Sequence, residues 1–112
     1  MKILLDECLP HDFRHCLQGH EVHTVEWAGW KSKKNGELIK AADSGGYQVL
    51  LTVDQGILYQ QDIATRRIAI IVIRSKTNQL EDLVPLAQMI LEAFERVTPG
   101  QVLTIVSEDL SQ

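Results

Sequence analysis

Cysteine is nearly missing from this chain: Cys8 and Cys16 are the only two in 112 residues. They fall two turns apart in a segment that reads as helix, too far to bridge, and a disulfide framework needs more of them. Two reduced thiols are the expectation, and with them a cytoplasmic location. Long apolar runs are missing as well. The longest, Ile68 to Ile73, falls far short of the roughly 20 residues that a membrane-spanning helix requires. Met1-Lys2 leads straight into a strand-like run, so a signal peptide is not expected. Positive charge is in deficit, with a net charge of −4. That argues against a broad basic surface for duplex nucleic acid, while leaving room for a local site that holds phosphate through metal ions. There is no glycine-rich dinucleotide or P-loop motif and no Gly-x-Ser-x-Gly elbow.

What is present is ordinary globular material, 45% hydrophobic and 23% charged, enough for one core in a single domain over residues 1–112. Strand-like apolar runs alternate with helical patterns. The strands are expected at Lys2–Leu5, Glu21–Val25, Tyr47–Val53, Ile68–Ile73 and Val102–Val106. Helices are expected at Leu9–Leu17, Gly36–Ser44 and Leu80–Val97, the last with an apolar stripe including Leu83, Ala87, Ile90, Leu91 and Phe94. The stretch Glu26–Asn35 reads as irregular. Such alternation predicts βαβ units: a three-layer α/β/α fold around a mostly parallel sheet of about five strands. In such sheets the carboxyl ends of the strands share one edge, and ligands bind there.

Two of these strands end in acids, Asp6 and Asp54, and one ends in Arg74. Carboxylates gathered at one edge repel unless something positive neutralises them. Hard oxygen ligands select Mg²⁺ or Mn²⁺, which can stabilise the attacking and leaving oxygens of phosphodiester cleavage. The plainer reading is that each Asp caps the segment that follows it. Arg74 and Lys76 face the same edge and would suit a phosphate backbone; a solvated pair of loop charges weighs equally. Residues 27–34 interleave Trp27 and Trp30 with Lys31, Lys33 and Lys34, a pattern used to stack and hold single-stranded nucleic acid. Core packing or a partner interface explains the tryptophans as well. His11 and His15 share a helix face with Cys8 one turn earlier, but no fourth ligand completes a zinc site.

The pieces LLDECLP, NGELIKAA, YQVLLTVDQGILYQQ, IAIIVIRSKTNQLEDLVPL and PGQVLTI, in this order from Ile3 to Ile105, resemble the PIN-like domains, small proteins often encoded as the toxin half of toxin–antitoxin pairs. The resemblance implies a metal-dependent ribonuclease using Mg²⁺ or Mn²⁺. It maps Asp6, Glu37 and Asp54 onto the catalytic acids, with Thr52 as a supporting hydroxyl near the substrate. RNA is the implied substrate, and an antitoxin protein and a homodimer are the implied partnerships. The chain departs from the pattern where a fourth acid would follow Asp54 by two residues, because that position is Gly56. Glu7 is one source of the missing metal-binding oxygen and Asp62 a more distant one. Two alternatives stand beside the nuclease. One is a PIN-like binding protein that has lost catalysis. The other is a receiver-like signalling domain, which the chain also resembles: an acidic pair after the first strand, Asp54 as phosphoacceptor and Ser75 after the fourth strand. Receivers need a Lys after the fifth strand, and Val106-Ser107-Glu108-Asp109 offers none.

Overall fold

The computed structural model describes residues 1–59 and 63–110. Five strands, β1 (Lys2–Leu5), β2 (Glu21–Thr24), β3 (Val49–Thr52), β4 (Ala69–Arg74) and β5 (Val102–Val106), form one sheet in the order β2-β1-β3-β4-β5. Every neighbouring pair is parallel; Leu5 stands opposite Thr24 on one side and Leu51 on the other.

The near-unbroken apolar runs of β1, β3 and β4 follow from burial on both faces, as expected of a covered parallel sheet. Side chains alternate along each strand. Ile3, Leu5, Val49, Leu51, Ile71 and Ile73 therefore point into one core, and Leu4, Leu50, Ile70 and Val72 into the other. The first core is covered by Phe13 and Leu17 from the β1–β2 connection and by Leu83, Leu86, Ile90 and Phe94 from the β4–β5 connection. The second is covered by Leu38, Ile39 and Ala42 of the β2–β3 helix and by Ile57 and Ile63 of the β3–β4 connection. Three layers result.

The first three crossovers share one hand. The β4–β5 crossover advances across the sheet in the same direction as β3–β4 but passes over the opposite face, so its hand is reversed. Crossovers of one hand dominate parallel sheets, and this exception brings the C-terminal helix over β1.

The helices differ from expectation in three places. Leu9–Leu17 is not an α-helix: residues His11–Cys16 form a 3₁₀ segment after Pro10, bonded Phe13 N–H to the Pro10 carbonyl at 3.1 Å and Leu17 N–H to the Arg14 carbonyl at 3.2 Å. So short a connection cannot repay helix nucleation, and the tighter i→i+3 turn suffices to bury Phe13 and Leu17. The supposedly irregular Glu26–Asn35 begins with a helical turn, α1 (Val25–Ala28), whose Trp27 N–H donates to the Thr24 hydroxyl at 3.0 Å. Gly29, at φ 82°, ends it in the left-handed region open to glycine. The long helix Leu80–Val97 is broken into α3 (Leu80–Leu83), a 3₁₀ turn at Val84–Leu86 and α4 (Ala87–Arg96). Pro85 is the cause, since it has no N–H to bond back four residues. Between them α2 runs Asn35–Ser44, one residue longer than read. Among the described residues no helix is long and apolar enough to cross a membrane.

Candidate functional site

The strand order changes direction at β1, with β2 on one side and β3 to β5 on the other. The chain leaving β1 turns to the first core and the chain leaving β3 to the second. The two connections part, and a cleft of about 440 Å³ opens between them. This is the position where parallel α/β sheets bind ligands. Asp6, Glu7 and Asp54 line it, together with Cys8, Lys33 and Lys34.

Asp6 is only 8% exposed. Its Oδ1 accepts the Glu7 N–H at 2.9 Å and its Oδ2 accepts the Thr52 hydroxyl at 2.6 Å, with the Cys8 thiol 3.6 Å away. Thr52 is fully buried, and its hydroxyl oxygen also accepts the Asp54 N–H at 3.0 Å. One hydroxyl thus ties the first carboxylate to the backbone of the second acid. Thr52 was expected near substrate; at 0% exposed it holds the acids in place instead. Burial pushes the Cys8 thiol pKa up, and the Asp6 charge raises it further.

Asp54 is exposed at the mouth of the cleft, and its Oδ1 accepts the Gly56 N–H at 2.8 Å. It therefore caps the 3₁₀ segment Gln55–Tyr59, so the plain capping role and a place in the cleft coexist. A Cβ on residue 56 would stand 3.0 Å from that Oδ1 and 3.5 Å from Asn35 Nδ2. Glycine here lets the turn close on Asp54 and the Asn35 amide approach.

Glu37 is not part of the wall. It is exposed on the first turn of α2, whereas Asn35, two residues earlier, lines the cleft along with Ser32 and Leu38. Asn35 and Ser32 were not singled out from sequence, and Cys8 was weighed only as a companion of His11 and His15. Asn35 stands immediately after the lysine pair and before the helical period begins, which was the available signal. Asp62 lies outside the described residues. Among the described residues no three His, Cys, Asp or Glu side chains gather as a metal-holding group, and no cation pairs with Asp6, Glu7 or Asp54.

Arg74, exposed at the end of β4, lines a neighbouring hollow of about 350 Å³ with Gln55 and Ser75. Val53 lines both the hollow and the acidic cleft, so the two adjoin. Lys76 is exposed just beyond and is not part of either wall. The two tryptophans part company: Trp30 packs against the second core and meets the Tyr47 ring edge-on at 5.9 Å, while Trp27 is 70% exposed. His11 Nε2 lies 3.0 Å from Glu26, and both cysteines are free. No protein-family model, no curated protein and no solved structure matches this chain.

Proposed function

We propose that the cleft between β1 and β3 is the active site of a metal-dependent ribonuclease of PIN-like type, working as the toxin of a toxin–antitoxin pair. The observation that carries this reading is Asp6: a carboxylate more than nine-tenths buried, ion-paired to no cationic side chain among the described residues, sharing a cleft with Glu7 and Asp54. Buried negative charge calls for a positive partner. Two carboxylates, Asp6 and Asp54, are enough to suit Mg²⁺ or Mn²⁺, because Mg²⁺ commonly takes one or two carboxylates and fills its remaining positions with water and substrate phosphate. A bound ion would supply charge stabilisation at the phosphate. The protein's own part is to hold Asp6 rigid through Thr52 and to offer the outward oxygen of Asp54. Lys33 and Lys34 on the cleft rim, and Arg74 beside it, attract the phosphate chain. Glu37 is left as a contributor from outside the wall.

Asp54→Asn tests the reading, since it preserves shape and the bond from Gly56 while removing the charge. The expected result is an intact fold and loss of Mn²⁺-dependent cleavage of single-stranded RNA. Antitoxin-free wild-type protein that leaves a varied RNA pool uncut would end the nuclease proposal. So would a variant that cuts as well as wild type. Two other outcomes have specific support. Gly56 in place of an acid favours a binding protein without catalysis, in which RNA or antitoxin binding survives the substitution. The strand order 2-1-3-4-5 is shared with flavodoxin-like folds and so with receivers, in which Asp54→Asn would abolish labelling by acetyl phosphate; the reversed β4–β5 crossover and the missing lysine after β5 count against that outcome.

A further inference from the structure

A second cavity, of about 400 Å³, lies beside the edge strand β2, outside the acidic cleft. Its wall includes Trp27, His23, Arg14, His11 and Glu26. Trp27 is the most exposed large hydrophobic residue among those described, and tryptophan is enriched where surfaces bind ligands or partners. It is also held still. Its N–H is capped by Thr24, and its ring lies on the His23 imidazole with centroids 4.1 Å apart and planes tilted by 33°. His23 is fixed in turn: Nδ1 lies 2.8 Å from the Tyr47 hydroxyl, and Nε2 lies 3.6 Å from Glu21. Arg14 donates one N–H to the His11 carbonyl at 2.8 Å, and among the described residues no carboxylate pairs with its guanidinium.

We infer that Trp27, backed by His23, is a stacking platform for a nucleobase of single-stranded nucleic acid, with Arg14 placed for an adjoining phosphate. A rigid aromatic plane with a guanidinium unpaired by carboxylate nearby is how such strands are gripped. The volume falls within the roughly 300–1,000 Å³ of small-ligand pockets. The core of a protein-docking patch is more apolar than the surrounding surface and poor in charge. Here the residues around Trp27 are His11, Arg14, Glu26 and Thr24, with Val22 the one aliphatic member, which suits a polar, planar ligand better. The segment that leaves Trp27 also carries Lys31, Lys33 and Lys34, the last two on the rim of the acidic cleft, so a phosphate chain has a cationic path from one cavity to the other. The inference borrows from the ribonuclease reading only the idea that the ligand is a strand.

The test is run in EDTA, where no cleavage confuses binding, with fluorescein-labelled oligouridylate and oligoadenylate followed by anisotropy. Trp27→Ala should weaken binding roughly 5- to 150-fold, the span expected for losing one stacked base. Trp27→Phe should restore most of it, and Arg14→Gln should weaken binding without abolishing it. Unlabelled adenosine monophosphate should compete and ribose 5-phosphate should not. Competition as strong as that of the oligonucleotide would mark the ligand as a free nucleotide rather than a strand, while keeping the platform. Because Trp27 is exposed, melting curves should show all variants folded; Trp30→Phe protein, with Trp27 as sole indole, gives a second readout through quenching by adenosine monophosphate. The inference fails if wild type binds neither oligonucleotide nor mononucleotide at millimolar concentration. It also fails if Trp27→Ala binds as wild type, or changes only self-association, which would make the surface a protein contact. Cleavage in Mn²⁺ without this binding would sink the platform alone; binding without cleavage would sink the nuclease alone.

Discussion

A single buried hydroxyl organises the site. Thr52 gives its proton to Asp6 and takes the N–H of Asp54, so Thr52→Val, which keeps the volume, strands a carboxylate oxygen and an amide together. A loss of about 1–3 kcal/mol is expected for a buried group left unpaired, measured by urea denaturation; a neutral result would mean water replaces the hydroxyl. Asp6→Asn should act in a different way on its neighbour. The Asp6 charge helps to hold the Cys8 pKa up, so removing it should raise the thiolate fraction and speed alkylation of Cys8 by iodoacetamide at neutral pH. Unchanged or slower alkylation would mean that burial alone controls the thiol. Asp6 and Asp54 were legible in the sequence because strand ends are easy to read and parallel strands share an edge. Glu37 and Asn35 were not separable, because two residues turn an α-helix by about 200°. Which of them faces the cleft depends on the phase set by Leu38, Ile39 and Ala42 against the sheet.

The strands were the easiest elements to read. Burial on both faces leaves β1, β3 and β4 as apolar runs bounded by polar residues, and the expected and observed ranges agree to within two residues. Helices were harder, since the apolar stripe of Leu80–Phe94 survives a break in the backbone: Pro85 interrupts the hydrogen bonds while leaving the side chains on one face. The break also shifts which residue is deepest. Ile90 is fully buried, whereas Leu91, part of the expected core stripe, is half-buried against it. Ile90→Ala should therefore lower stability by about 2–5 kcal/mol as a core truncation, and Leu91→Ala by clearly less. Denaturation curves showing the reverse order would mean that α4 is rotated about its axis. The 3₁₀ segment His11–Cys16 was misread for the same kind of reason: Phe13 and Leu17 satisfy helical spacing in a connection too short for an α-helix.

Distant parts of the sequence meet at His20. His20, just before β2, meets the Phe94 ring edge-on at 5.0 Å and lies 3.3 Å from the Met1 amino group. Burial lowers its pKa below the ordinary 6.5, and the amino group lowers it further. The unfolded chain consequently binds the proton more readily than the folded one. This stabilising difference is present above pH 6.5 and is lost as pH falls toward the folded value. His20→Gln should flatten that part of the melting-temperature profile relative to wild type; an unchanged slope would assign the pH dependence to the carboxylates. The reversed β4–β5 crossover has a consequence for the order in which the chain can be made. Ile3 and Leu5 leave a ribosome long before the helix that shares their core and carries Ile90 and Phe94. The six-residue 3₁₀ segment that follows β1 is too small to cover that face alone. β1 can pair with β2 and β3 early, but one of its faces must wait, apolar and uncovered, until α4 emerges. A nascent chain stopped at Gln79 should bind a hydrophobic dye and a holdase chaperone that release the finished protein, and a stopped chain that resists both would show that the N-terminal half closes over β1 unaided.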